Sequence, residues 1–147
     1  MQKKRKNNSG FTLIELMVVL VILGILAGLI VPRMMGRTEE AKQVKTKLQM
    51  DGLEAALKLY KLDNGAYPST EQGLQALVEA PKTGTLPKAW REGGYLEKKK
   101  VPVDGWGNAY VYIQPGTHGE YDISSNGADG EPGGEGKNKD LNNWDSE

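Results

Sequence analysis

From Phe11 to Val31 the chain runs for 21 residues with one charge, Glu15. As an α-helix rising ~1.5 Å per residue such a run is about 31 Å long, the thickness of a bilayer's hydrocarbon core. Lys3, Lys4, Arg5 and Lys6 stand directly before it. A basic cluster on that flank keeps the N-terminus cytoplasmic and sends the rest of the chain outward. A secretory signal peptide would also begin basic and then turn apolar. Its apolar stretch spans only about 7–15 residues and ends at a small-x-small site, whereas Ala27 here is followed by more apolar residues. The run therefore reads as a membrane span that stays in the chain.

Past the run, the pattern changes. Pro32 lacks a backbone donor and is expected to kink the helix or start a new segment. From Glu39 to about Leu62 apolar residues recur near helical spacing at Ala41, Val44, Leu48, Leu53, Ala56, Leu57 and Tyr60. This predicts a long helix that leaves the membrane, enters a water-facing domain and ends at Asp63-Asn64-Gly65. Ser69 and Gln72 have capping-box spacing, and Leu74, Leu77 and Val78 form the stripe of a predicted second, short helix. Pro81 to Pro87 reads as a loop. Tyr110–Ile113 and Tyr121–Ser124 read as two strands of a hairpin. Beyond Asn126 the tail is rich in glycine and acid, with little strand or helix character, so either it is disordered or something other than a core holds it.

Composition removes whole classes of function. The 19 basic and 19 acidic residues balance, but with four of the bases in the first ten residues the remainder is mildly acidic. No basic stripe interleaved with aromatics is present outside the leader, so no nucleic-acid partner is expected. Cysteine is absent, which excludes disulfides, thiolate metal sites and a Cys nucleophile. His118, the sole histidine, falls in a glycine-rich turn and reads as a loop residue. Without a phosphate-binding glycine loop, a nucleophile elbow or zinc spacing, no enzyme is expected.

The string Ser9-Gly10-Phe11-Thr12-Leu13-Ile14-Glu15 resembles the recognition site of prepilin peptidase in class III prepilins. The resemblance implies cleavage between Gly10 and Phe11 and N-methylation of the Phe11 amine. Electrostatics gives Glu15 an assembly role of its own. A carboxylate within a bilayer costs about 2.5–3.5 kcal/mol even on lenient scales and needs a partner. The apolar run contains no cation, so after cleavage the nearest is the Phe11 amine, and staggered subunits can pair the amine of one with Glu15 of the next. The alternative is a carboxylate that snorkels to the headgroups. The helix is apolar all round, with Gly24, Ala27 and Gly28 allowing close helix approach. A head-to-tail contact that does not close on itself makes a helical filament.

The stretches Tyr60–Pro68, Glu71–Leu77, Gly94-Tyr95-Leu96, Asp104-Gly105-Trp106-Gly107-Asn108, Gly127–Gly130 and the ending to Asn143-Trp144 resemble the type II secretion major pseudopilins. Two departures stand out: Gly105 replaces the family's usual proline, and Lys98-Lys99-Lys100 makes a longer basic step. The resemblance implies an α+β, pilin-like lollipop, with a long N-terminal helix packed on a small antiparallel sheet. Its parts would be a cleaved leader (1–10), a transmembrane and assembly helix (11–31) and a periplasmic domain (32–147). The last would close on a calcium loop, with Asp129 and Asp140 as carboxylate ligands, the Asn126 carbonyl and an oxygen of Asn138. Its partners would be copies of itself, minor pseudopilins, an inner-membrane assembly platform and prepilin peptidase, in a periplasmic pseudopilus that helps export folded proteins. The rivals are a type IV pilin of a surface fibre and a monomeric, membrane-tethered calcium module. Intact-mass analysis of membrane-extracted protein is expected to show a chain starting at Phe11 with one added methyl. A chain starting at Met1, or cut after Val31, contradicts the prepilin reading.

Overall fold

The computed structural model describes residues 11–145, with the backbone alone for residues 29–35. One helix, α1, runs from Leu13 to Asn64. A small antiparallel sheet follows, in the order β1 (Val111–Ile113), β2 (Asp122–Ser125), β3 (Leu141–Asn142). The chain divides after Thr38 into two compact units.

In the first unit every described side chain from Phe11 to Gly28 is exposed. Among the described residues no helix is long and apolar enough to cross a membrane. The predicted span closes with Leu29, Ile30 and Val31, whose side chains lie outside the described residues. The leader, residues 1–10, lies outside them as well. Helical backbone continues through Pro32, so the proline starts no new segment.

In the second unit α1 buries Thr46, Met50, Leu53, Ala56, Leu57 and Tyr60, spaced by three and four residues on one face. Val44 and Leu48, expected inside, are 54% and 66% exposed. With Leu59 and Leu62 they make a second apolar stripe on the side away from the core. Helical spacing is satisfied by either stripe, and the sheet selects the one centred on Leu53 and Leu57. The helix ends where expected: Gly65 adopts φ +85° and its N–H returns to the Lys61 carbonyl at 2.7 Å, a glycine C-terminal stop.

The second helix is a correction. Both hydrogen bonds of the expected capping box form, Ser69 N–H to Gln72 Oε1 (3.0 Å) and Gln72 N–H to Ser69 Oγ (3.3 Å). The chain then passes through Gly73 at φ +59°, outside helical geometry, and only the 3-10 turn Leu74–Leu77 follows. Leu74, Ala76 and Leu77 nonetheless reach the core. The loop before Pro87 is held from the same turn, since the Gln72 amide donates to the carbonyls of Thr83 and Thr85.

The hairpin pairs Val111 with Ser124, Tyr112 with Ile123 and Ile113 with Asp122. The tail supplies a third strand that its composition did not announce, pairing Leu141 with Ser125 and Asn142 with Ser124. Leu141 is buried, and Asn143 binds both backbone groups of Ile123. Five tyrosines lie in the core, and their hydroxyls need acceptors. Tyr110 donates to the Thr46 carbonyl (3.1 Å) and Tyr112 to the Pro68 carbonyl (2.8 Å). His118 is more than a loop residue. It stacks on Trp144 with ring centres 3.9 Å apart, and its Nδ1 lies 3.0 Å from Asp122. Burial pushes the Asp122 carboxyl up, but bonds from His118 and the Thr117 N–H outweigh it and leave the group below its usual range.

The turn at Asp104 fastens α1 to the rest of its unit. The fully buried Asp104 carboxylate accepts from Trp106 N–H (2.9 Å), Asn108 N–H (2.8 Å) and Ser125 Oγ (2.6 Å). Gly105 N–H donates to Thr46 Oγ1 at 2.8 Å, a bond that a proline here would have no hydrogen to make. The Trp106 indole donates to Glu39 (2.8 Å) and with Lys42 holds that carboxyl below its usual range. A Cβ on Gly105 would stand 2.3 Å from the Lys42 carbonyl oxygen, so a side chain here requires the turn to draw back from the helix backbone. Gly105→Ala is therefore expected to destabilise this unit by about 1–3 kcal/mol, the range for overpacked sites. A chemical denaturation midpoint unchanged from the wild type contradicts that approach.

Candidate functional site

Two regions hold the residues singled out in the sequence. The first is the start of α1. Gly10 lies outside the described residues, and Phe11 is 81% exposed. Thr12 caps the helix: its Oγ1 accepts the Glu15 N–H at 3.3 Å, while Glu15 Oε2 accepts the Thr12 N–H at 3.5 Å. This is a capping box, which satisfies two orphan donors of the first turn and sets the carboxylate at the positive end of the helix dipole. Its signal, a threonine three residues before a glutamate, stands in the sequence beside the cleavage motif. Glu15 is exposed at the foot of a helix otherwise clothed in Leu13, Ile14, Leu16, Met17 and Val18. It can thus hold its own helix end and still meet a cation from outside.

The second region is the loop from Asn126 to Asp140. Glycines shape it: Gly127, Gly130, Gly133, Gly134 and Gly136 all have positive φ. Two of them close it on Asn138. A Cβ on Gly127 or Gly134 would lie 2.8 Å or 2.7 Å from the Asn138 carbonyl oxygen. Ala128 N–H donates to the Lys137 carbonyl (3.1 Å), and the Gln43 amide of α1 reaches the Gly136 carbonyl (3.2 Å). The loop itself is therefore held by backbone bonds and by α1.

Each expected metal ligand has a defined place in this loop. Asp129 Oδ1 accepts the Glu131 N–H (3.2 Å), and the Asn126 side chain donates to the Gly130 carbonyl (3.2 Å), which leaves the Asn126 carbonyl outside that bond. Asp140 Oδ2 accepts the Gly133 N–H (2.8 Å). Asp140 Oδ1 is buried and has no hydrogen-bond partner. Among the described residues no three His, Cys, Asp or Glu side chains gather into a metal site, so a bound ion would need carbonyl oxygens beside the carboxylates. A hard, oxygen-seeking cation of variable geometry accepts such a set. The sequence reading missed Asp104 and Asn108, whose link to this loop is a contact between distant segments: Asn108 Nδ2 donates to the Gly127 carbonyl at 3.0 Å.

Known proteins resemble this chain along nearly its whole length. Residues 33–144 match the family model of type II secretion system (T2SS) protein G, and residues 5–31 match the prokaryotic N-terminal methylation motif. A type II secretion system core protein G of Pseudomonas aeruginosa is 54% identical over 143 residues, covering 97% of this chain and 99% of that one. Its counterpart from Vibrio cholerae is 51% identical over 142 residues, covering 97% and 95%. The crystal structure of the major pseudopilin from the type 2 secretion system of enterohaemorrhagic Escherichia coli superposes with a TM-score of 0.66 at 40% identity, covering 75% of this chain and 92% of that chain. With its long N-terminal helix, its small antiparallel sheet and these matches along nearly its whole length, the chain belongs to the type II secretion system protein G family, that of the major pseudopilin.

Proposed function

We propose that the chain is cut by prepilin peptidase between Gly10 and Phe11, methylated on Phe11 and held in the inner membrane by residues 11–31. It then polymerises with copies of itself into a periplasmic pseudopilus that helps folded proteins cross the outer membrane. Minor pseudopilins and an inner-membrane assembly platform are the further partners. The role is structural, and no catalytic step falls to this chain. The observation that carries this reading is a segment exposed on every side from Phe11 to Gly28, helical from Leu13, with one carboxylate in its first turn. Such a surface is stable in lipid or against other helices of its kind, and each Glu15 needs a cation there.

The cap on Glu15 sharpens the test. Glu15→Gln keeps a side chain able to complete the capping box but removes the charge, whereas Glu15→Ala removes both. If pairing with a neighbour's amine drives assembly, both variants insert into the membrane and both lose most of their sheared-fibre yield. Wild-type yield from Glu15→Gln contradicts the pairing and leaves the cap as the role of Glu15.

Calcium is part of the same proposal. Asp129 and Asp140 would supply carboxylate oxygens, the Asn126 carbonyl and an oxygen of Asn138 the rest. The buried, unpartnered Asp140 Oδ1 supports this assignment, because a carboxylate oxygen without a donor is costly unless a cation meets it. The bound ion would clamp the two arms of a loop that has no disulfide. An ion bound only by the folded state stabilises it by about 2.7 kcal/mol at one hundred times Kd. The detergent-solubilised chain is expected to melt higher in millimolar calcium than in chelator, with magnesium a poorer substitute. Asp129→Ala and Asp140→Ala should each remove most of the difference. A melting temperature indifferent to chelator contradicts the calcium assignment.

A further inference from the structure

The Asp104–Asn108 turn contributes none of the ligands proposed above, yet it grips the loop on both sides of one of them. Asn126, whose carbonyl is a proposed ligand, lies between Ser125 and Gly127. Ser125 Oγ donates to Asp104 Oδ2 at 2.6 Å, and the Gly127 carbonyl accepts from Asn108 Nδ2 at 3.0 Å. Asn108 is itself held by Asp104, whose Oδ1 accepts its N–H at 2.8 Å and whose N–H donates to its carbonyl at 2.9 Å. Beyond Gly127 the contact continues to the Asn138 backbone, so close that a Cβ on Gly127 would fall 2.7–3.0 Å from it. Gly130 also sits against the Asn108 amide, 3.6 Å from Nδ2 measured from an added Cβ.

We infer that Asn108 is a positioning residue for the calcium loop, fixing the Gly127 peptide and with it the arm that carries Asn126 and Asp129. This rests on the calcium assignment above. The anchor of the arrangement is α1, through Thr46 Oγ1 and Gly105 N–H. The ligand arm is thereby referred to the helix, and ion binding need not order it anew. Hydrogen-bond partners that orient ligands in this way typically change metal affinity 10–100-fold when removed.

The test uses the detergent-solubilised full chain and compares wild type with Asn108→Ala and Asn108→Leu, the second keeping the side chain's approximate size without its donor. Calcium affinity is measured by calorimetric titration, and melting is followed in chelator and in calcium. The expected result is calcium binding weakened about tenfold or more in both variants. Melting in chelator should change little, so that the calcium-dependent rise shrinks. A purely structural role predicts the opposite, equal falls in melting temperature with and without calcium at unchanged affinity, and that result overturns the inference. Should Asn108→Ala fail to fold, Asn108→Leu decides the question alone. Wild-type protein that binds no calcium overturns the calcium assignment and this inference together, whereas wild-type affinity in the variants overturns this inference only.

Discussion

The Asp104 carboxylate, fully buried, accepts hydrogen bonds from two backbone N–H groups of its own turn and from the Ser125 hydroxyl of β2. A polar group taken out of water is tolerated only when its hydrogen-bonding capacity is met in this way. Around this point the second unit acquires its arrangement. The turn shaped by Asp104 presents Gly105 to the α1 backbone, Trp106 to Glu39 and Asn108 to the Gly127 carbonyl. Helix, sheet and tail thus meet at the turn that this one buried side chain organises. An apolar core of this size would fix their separation; the directional bonds fix their register as well.

Much of this architecture is legible in the sequence wherever the signal is local. The apolar run, the change to an amphipathic pattern near Glu39, the glycine stop after Asn64 and the hairpin strands all follow from periodicity and turn chemistry. Periodicity does not say which of two apolar stripes faces inward, and so Val44 and Leu48 point away from the core. A capping box likewise establishes a turn without guaranteeing a helix behind it, and Gly73 ends this one at once. The strand Leu141–Asn142 is too short to have a period, and it exists because Ser124 and Ser125 offer an open edge.

The candidate sites divide along the same line. Thr12 and Glu15 interact within one helical turn, so the cap is written in their spacing. The carboxylates of the C-terminal loop are visible as composition, but the orphaned oxygen of Asp140 depends on how glycines fold that loop around Asn138. Asn108 lies still further from local inference. It meets Gly127, 19 positions further along the chain, through a bond that no spacing rule anticipates.

The bonds from the domain to α1 are spread along the helix rather than gathered at one level. Trp106 attaches at Glu39, Gly105 and Tyr110 at Thr46, and Asn143 at Glu54. At ~1.5 Å per residue these anchor points span roughly 22 Å of the helix axis. A tensile load applied along α1 is therefore divided among several attachments at once, as in a lap joint loaded in shear. A load that peels the domain away from one end would instead meet them one after another. The same set of bonds makes the domain mechanically stiff against axial pull and comparatively weak against peeling.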